Sequence, residues 1–173
     1  EDLKDGLGVQ GENGGKSTAA NQKQNKLVKI TLYSKADRLE NKDDAEPLKT
    51  AHFRYNYSLC QGIPNSENGK GKLTLQEVFF TYGKSEKGRF SPYQFNYSNF
   101  NPDYELKAVD RFGNYKANNC NAKSNNEFPY ASQNEADIDK WVNAWKLKEI
   151  KLPSGGLIKV DYEPDDYAYV QDK

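Results

Sequence analysis

Hydrophobic residues recur at every second position in several segments between residues 26 and 98, which is the period of a half-buried β-strand. Residues 27–34 carry three of them on one face: Val28, Ile30 and Leu32. Residues 52–59 alternate strictly, with four apolar side chains on one face: Phe53, Tyr55, Tyr57 and Leu59. We predict a strand in each segment, the second with one buried and one polar face.

Two further segments are predicted to be strands, and each contains an irregularity. In residues 73–82 the apolar positions change phase between Leu75 and Val78, and a β-bulge near Gln76-Glu77 would repair the register. Residues 90–97 contain Pro92, which cannot donate to a ladder, so this strand should lie at a sheet edge or begin after the proline. Residues 35–51, 60–72 and 116–134 are expected to be polar loops.

The C-terminal part predicts a helix and then a hairpin. Ser132 and Glu135 have the spacing of a capping box, and apolar residues follow at helical spacing. We predict a short helix from about Gln133 to Asn143, anchored to the sheet by Trp141 and Trp145. Residues 146–152 and 157–162 predict a hairpin whose loop, Pro153–Gly156, supplies the fixed and positive φ values of a tight turn. The buried face of this hairpin should carry three side chains: Ile158, Val160 and Tyr162.

The composition fits one β-rich domain preceded by a polar arm. The 173 residues suit a single domain, and 12 Tyr with 8 Phe favour an aromatic core built from strands. Residues 1–25 bury too little surface to offset the entropy of ordering, so we expect a flexible arm there and an antiparallel β domain over 26–173. The predicted fold is mainly β, with hairpins or a meander and one short helix. It is either a β-sandwich-like unit or a segment of a larger β-shell.

Charge and hydropathy disfavour two classes of partner. The chain has 25 basic and 25 acidic residues, whereas nucleic-acid binding needs an excess of Lys and Arg on one face. The mean hydropathy is −1.02, and no segment approaches the ~20 apolar residues of a membrane helix. We therefore expect neither a nucleic-acid partner nor a membrane span. Because the chain begins at Glu1 and contains no Met, we expect a processed chain or a piece of a longer one.

Several side chains are candidates for chemistry, and each also has a simpler structural interpretation. His52 is the single histidine, but its place on the polar face of a predicted strand favours a solvated residue over a general base. Cys60 and Cys120 either form a disulfide, closing a loop of about 60 residues, or remain two unpaired thiols. Gly14-Gly15-Lys16-Ser17 resembles the end of a phosphate-binding loop, yet Gln10 replaces the first glycine of that motif, which favours a linker.

Acidic and aromatic side chains are the remaining candidates. Four carboxylates near the C-terminus offer oxygen ligands for calcium, but their spacing fits no calcium loop and favours a solvated hairpin end: Asp161, Glu163, Asp165 and Asp166. The aromatic strands are candidates for a platform that stacks on sugars or bases, although Phe and Tyr at period two are more often core residues. We expect no enzymatic activity, no cofactor, and no catalytic, cofactor-binding or metal-binding residue.

Three segments together resemble the Rhs/YD-repeat superfamily of large secreted or surface bacterial proteins. The first, residues 73–97, is similar to a pair of strands joined by a Gly-rich turn, and eight residues carry the match: Leu75, Val78, Phe80, Ser91, Pro92, Tyr93, Phe95 and Tyr97. The second, residues 109–116, is similar to the YD signature, with Val109 in place of its Tyr and three matching residues: Asp110, Gly113 and Asn114. The third, residues 145–167, resembles a recurrent hairpin and has ten matching residues: Leu147, Ile150, Pro153, Gly155, Gly156, Ile158, Tyr162, Glu163, Asp166 and Tyr167.

The resemblance covers about residues 72–170 and implies a structural role. It implies secretion or surface exposure, and β-hairpins that build the wall of a large hollow shell enclosing a polypeptide cargo. The partners would be flanking segments of the same longer chain and that cargo. The alternative is a surface β module that binds carbohydrate or a protein partner through exposed aromatic side chains. Many further hairpins beside this segment would favour the shell, whereas a catalytic neighbour or short linkers would favour the binding module.

Overall fold

Six antiparallel strands form one open sheet in which every strand pairs with its neighbours in the sequence. The computed structural model describes residues 26–63, 71–105, 108, 114–117 and 135–163, with the backbone alone for 135–138. Within these ranges the strands are β1 (Lys29–Tyr33), β2 (Pro47–Leu59), β3 (Lys72–Thr81), β4 (Tyr93–Tyr97), β5 (Leu147–Lys151) and β6 (Leu157–Lys159). The predicted mainly-β fold is confirmed. The expected arm, residues 1–25, lies outside the described residues.

The register across the strands decides which side chains share a face of the sheet. Phe53 pairs with Val78, which pairs with Tyr93 in the next strand. We call this side the apolar face, and it also carries Ile30, Leu32, Tyr55, Leu75, Phe80, Phe95, Ile150 and Ile158. We call the other side the polar face. It carries Lys29, Thr31, His52, Arg54, Glu77, Gln94, Asn96, Glu149, Leu157 and Lys159, together with the buried Phe79, which pairs with His52.

The β-bulge predicted in β3 is confirmed. Arg54 pairs with Glu77, but the next residue of β2, Tyr55, pairs with Leu75, so Gln76 is the extra residue. The bulge returns Leu75 to the face that carries Val78, which explains the change of phase in the sequence. Strand β4 begins at Tyr93, directly after Pro92, and lies inside the sheet between β3 and β5.

The prediction of a polar loop over residues 35–51 is wrong. Helix α1 spans Lys35–Asn41, a turn of 3-10 helix follows at Lys42–Asp44, and β2 already begins at Pro47. The helix has no apolar stripe to reveal it, since Leu39 is exposed. Local hydrogen bonds support it instead, because the Asp37 carboxylate accepts from the Asn41 side chain and from the Glu46 backbone.

The buried hydrophobic side chains do not lie on the apolar face. They include Leu59 and Cys60 at the end of β2, and Val142 and Ala144 near α2. Helix α2 spans Glu135–Val142, within the predicted range of 133–143. None of the apolar-face residues named above is among the buried hydrophobic residues. The sheet therefore keeps one apolar side that is half-buried or exposed.

Candidate functional site

His52 lies on the polar face, as predicted, and is half-buried against its neighbours. Its ring lies 4.5 Å from the Phe79 ring at an interplanar angle of 5°. Its Nε2 lies 2.8 Å from Thr81 Oγ1 across the β2–β3 pair. Burial lowers the pKa of His52, and the positive charges of Lys29 and Arg54 lower it further. The geometry is that of a histidine held in a strand pair by stacking and one hydrogen bond.

Cys60 is buried at the end of β2, and burial raises the pKa of its thiol. Its backbone has a positive φ of 52°, and its N–H donates to Asn101 Oδ1 at 2.9 Å. The Asn101 side chain also donates to the Ser58 carbonyl at 3.0 Å, so one amide holds both sides of this turn. Because a raised pKa disfavours the thiolate, this cysteine has the properties of a structural residue. Cys120 lies outside the described residues, and so does the choice between a Cys60–Cys120 disulfide and two unpaired thiols.

The remaining sequence candidates lie partly or wholly outside the described residues. Asp161 and Glu163 are described and exposed, whereas Asp165 and Asp166 are not described. Within the described ranges, no three His, Cys, Asp or Glu side chains converge as a metal site requires. The Gly14–Ser17 segment also lies outside. Among the described residues, neither helix has the length and apolarity needed to cross a membrane.

Trp145 anchors the chain after α2 to a loop, not chiefly to the sheet as predicted. It lies beyond the helix and has a positive φ of 56°. Its indole N–H donates to the Pro102 carbonyl at 2.7 Å, and its ring lies edge-on to Tyr115 at 5.1 Å. From the sheet, Lys72 places its ammonium 5.7 Å from the centre of the indole. Trp141 is half-buried on α2.

The β5–β6 hairpin has the predicted loop, but its strands are shorter than predicted: β5 spans Leu147–Lys151 and β6 spans only Leu157–Lys159, instead of 146–152 and 157–162. Gly155 has a positive φ of 89° and donates its N–H to the Leu152 carbonyl at 2.9 Å. Gly156 has an ordinary φ, so only one of the two glycines supplies the positive angle. Ile158 pairs with Ile150 and lies on the apolar face, but it is exposed rather than buried as predicted. Val160 and Tyr162 are half-buried.

The apolar face is a candidate interaction surface. Its outer strands hold exposed aliphatic side chains: Ile30 is 55%, Leu32 59% and Ile158 46% exposed. Its central residues, such as Phe53 and Val78, are only half-buried. The polar face differs, because its groups bind one another across strands: Arg54 pairs with Glu77 at 2.9 Å, and Gln94 donates to Glu77 at 3.3 Å. The two sides of the sheet therefore differ in chemical character.

A cleft between β3 and β4 is a second candidate that the sequence did not reveal. These strands pair only at Glu77–Gln94 and Val78–Tyr93, although β3 begins at Lys72 and β4 continues to Tyr97. The unpaired parts border a cleft of about 350 Å³. The Tyr97 hydroxyl donates to the Leu75 carbonyl at 2.7 Å, a side-chain bond where the ladder has stopped. In the sequence, the only sign of this cleft was the change of phase of the hydrophobic positions near Gln76.

The cleft is lined mainly by neutral polar side chains: Ser58, Gln76, Asn96, Ser98 and Asn99. Phe95 and Tyr97 add aromatic surface, and Leu59 adds aliphatic surface. Among the described residues, none that lines the cleft carries a charge at neutral pH, since burial raises the pKa of Tyr97. The arrangement offers hydrogen-bond donors and acceptors beside aromatic carbon.

Comparisons with family models, with curated proteins and with solved structures found no match to this chain. The first segment of the Rhs/YD-repeat resemblance contains strands β3 and β4, and the described part of the third segment, residues 145–163, contains the β5–β6 hairpin. The second segment lies mostly outside the described residues. The resemblance to the Rhs/YD-repeat superfamily therefore stays a hypothesis.

Proposed function

We propose that the chain is a non-enzymatic structural segment of a large Rhs-like secreted or cell-surface protein, in which its hairpins form part of a β-shell wall. The observation that carries the proposal is the open apolar face. Ile30, Leu32 and Ile158 are exposed there, and the rings at its centre are half-buried. An antiparallel sheet with one apolar side gains stability when a second layer covers that side.

The topology supports flanking segments of the same chain as the cover. The sheet is a meander in which strand order equals sequence order, so β1 and β6 are its two edges. Among the described residues, β1 and β6 each pair with one strand, so chain preceding β1 or following β6 would reach the sheet at an edge where another hairpin can pair with its backbone. Hairpins added in this way extend a wall and fold over its apolar side, the logic by which repeat architectures bury a shared core. The enclosed volume would hold a polypeptide cargo.

The alternative is a surface module that binds carbohydrate or a protein partner through exposed aromatic rings. Tyr82 and Phe90, at the β3–β4 connection, favour it because they are 59% and 74% exposed. Loss of binding in a Tyr82→Ala and Phe90→Ala double variant, in a glycan array that the parent chain binds, would support this alternative over the shell.

Adjacent residues of β6 provide a matched test of the shell proposal. Ile158 lies on the apolar face and Leu157 on the polar face, with 46% and 54% exposure. If the apolar face is built to be covered, the chain alone should self-associate through it as concentration rises. Ile158→Lys should then reduce this association, and Leu157→Lys should leave it unchanged. Light scattering after size-exclusion chromatography measures both. Equal behaviour of the two variants, or a parent chain monomeric at every concentration, would contradict the proposal.

A further inference from the structure

The cleft between β3 and β4 is surrounded by irregular strand pairing. The register shifts at Gln76 in β3, between Asn56 and Leu59 in β2, and between Asn96 and Tyr97 in β4. The third shift leaves Lys148 of β5 without a partner residue in β4, because Asn96 pairs with Glu149 and Tyr97 with Leu147. Bulges are over-represented beside functional sites, where they redirect a side chain or end the pairing of two strands. Here three shifts adjoin one cleft, and one of them places Gln76 in its lining.

The amides in this cleft have hydrogen-bonding capacity that the fold does not use. Within the part of the chain that the structure describes, the side chains of Gln76 and Asn99 have no hydrogen-bond partner. The amide nitrogen of Asn96 donates to Glu149 Oε1 at 3.1 Å. Each carboxamide presents two N–H donors and an oxygen acceptor. Gln76 is half-buried, whereas Asn96 and Asn99 are exposed, and all three line the cleft.

We propose that this cleft binds a neutral carbohydrate. A sugar hydroxyl both donates and accepts, which matches amide and hydroxyl side chains. The rings of Phe95 and Tyr97 complement the C–H faces of a pyranose. The neutral lining disfavours phosphates and carboxylated ligands, which call for Arg, Lys or a helix N-terminus. A volume of about 350 Å³ falls at the lower end of small-molecule sites and suits one or two sugar rings.

An extended peptide inserted as an extra strand is the competing occupant. The Tyr97 side chain crosses the gap to bond the Leu75 carbonyl, so it already satisfies one group that an inserted strand would have to pair. The sugar proposal leaves this bond intact, whereas insertion of a strand requires breaking it. The amides that carry this proposal are separate from the exposed aliphatic side chains on which the shell proposal rests, and the cleft shares Phe95 with the apolar face.

Nuclear magnetic resonance titration of the ¹⁵N-labelled 173-residue chain tests the proposal. The probes are glucose, galactose, mannose, N-acetylglucosamine and their β-linked disaccharides, with a strand-forming hexapeptide of Thr and Val as the competitor. At least one sugar should shift the side-chain amides of Gln76, Asn96 and Asn99, with a dissociation constant on the order of 1 mM.

Two variants and a control define the outcomes. Gln76→Ala and Asn99→Ala should each weaken sugar binding about tenfold, the effect of losing one good hydrogen-bonding group. Asn99 lies outside the strands, so its variant keeps the test valid if the bulge variant fails to fold. Asn41→Ala, at the end of α1, should leave binding unchanged. The proposal is overturned if none of the sugars shifts the side-chain amides of Gln76, Asn96 and Asn99. It is also overturned if only the hexapeptide shifts them.

Discussion

Replacing Trp145 with Phe should destabilise the fold by removing one hydrogen bond while keeping an aromatic ring in place. The indole N–H donates to the Pro102 carbonyl at 2.7 Å, and the ring contacts Tyr115 edge-on at 5.1 Å. A net hydrogen bond contributes about 0.5–1.5 kcal/mol, and an acceptor left without its donor adds to the loss. Because Trp145 is half-buried, we expect a total cost of about 1–2 kcal/mol for Trp145→Phe.

The alanine variant extends the same argument. Trp145→Ala also loses the edge-on contact, which contributes about 0.5–1.5 kcal/mol. It further loses the cation–π contact of Lys72, which contributes about 0.5–1 kcal/mol at an exposed site. Added to the cost of Trp145→Phe, these losses give about 3 kcal/mol for Trp145→Ala, at the lower end of the range for a buried Trp replaced by Ala.

Urea unfolding followed by far-ultraviolet circular dichroism measures these differences without relying on tryptophan emission. Trp141→Phe is the matched control. Trp141 is also half-buried, but the described part of the chain supplies no hydrogen-bond acceptor for its indole, so this variant should cost less than Trp145→Phe. Equal free energies of unfolding for the two phenylalanine variants would refute the anchoring role of the Pro102 bond.

Two further predictions concern the hairpin and the histidine. Gly155→Ala should destabilise by about 1–2 kcal/mol because Gly155 has a φ of 89°, whereas Gly156→Ala, at an ordinary φ, should be nearly neutral; thermal melts of both variants decide this. The folded state holds the pKa of His52 below 6.5, so the unfolded chain binds more protons as the pH falls through 6.5. Stability conferred by neutral His52 should therefore be present above this pH and decline below it, and His52→Gln should flatten that part of the curve of unfolding free energy against pH. If the unfolding free energy of His52→Gln depends on pH as steeply as that of the parent chain, His52 does not control this part of the curve.

The strands were largely predictable because their hydrophobic period is a local property of the sequence. The change of phase between Leu75 and Val78 located the bulge, and Pro92 limited where β4 can begin. Helix α1 was not predictable from its apolar pattern, since its contacts run between polar side chains and Leu39 is exposed. The stacking of His52 on Phe79 depends on strand register, which joins residues far apart in the sequence.

The cleft illustrates why sites are harder to predict than strands. Its walls come from the ends of β2 and β4 and from one bulged residue of β3, and their meeting depends on where pairing stops between β3 and β4. The phase change near Gln76 indicates a bulge, but it gives no sign of which residues lie opposite. The fold class follows from the hydrophobic period within each strand. The cleft exists because the pairing of β3 with β4 stops after two residue pairs.

Hydrogen exchange tests the shell proposal most directly, by comparing this segment alone with the same segment joined to its flanking hairpins. The proposal predicts that the backbone amides of the edge strands β1 and β6 exchange more slowly in the longer chain, because neighbouring strands pair with them there. It also predicts that the segment alone associates or partly unfolds in size-exclusion chromatography. A stable monomer, with equal amide protection in both contexts, would contradict the shell and favour an autonomous binding module.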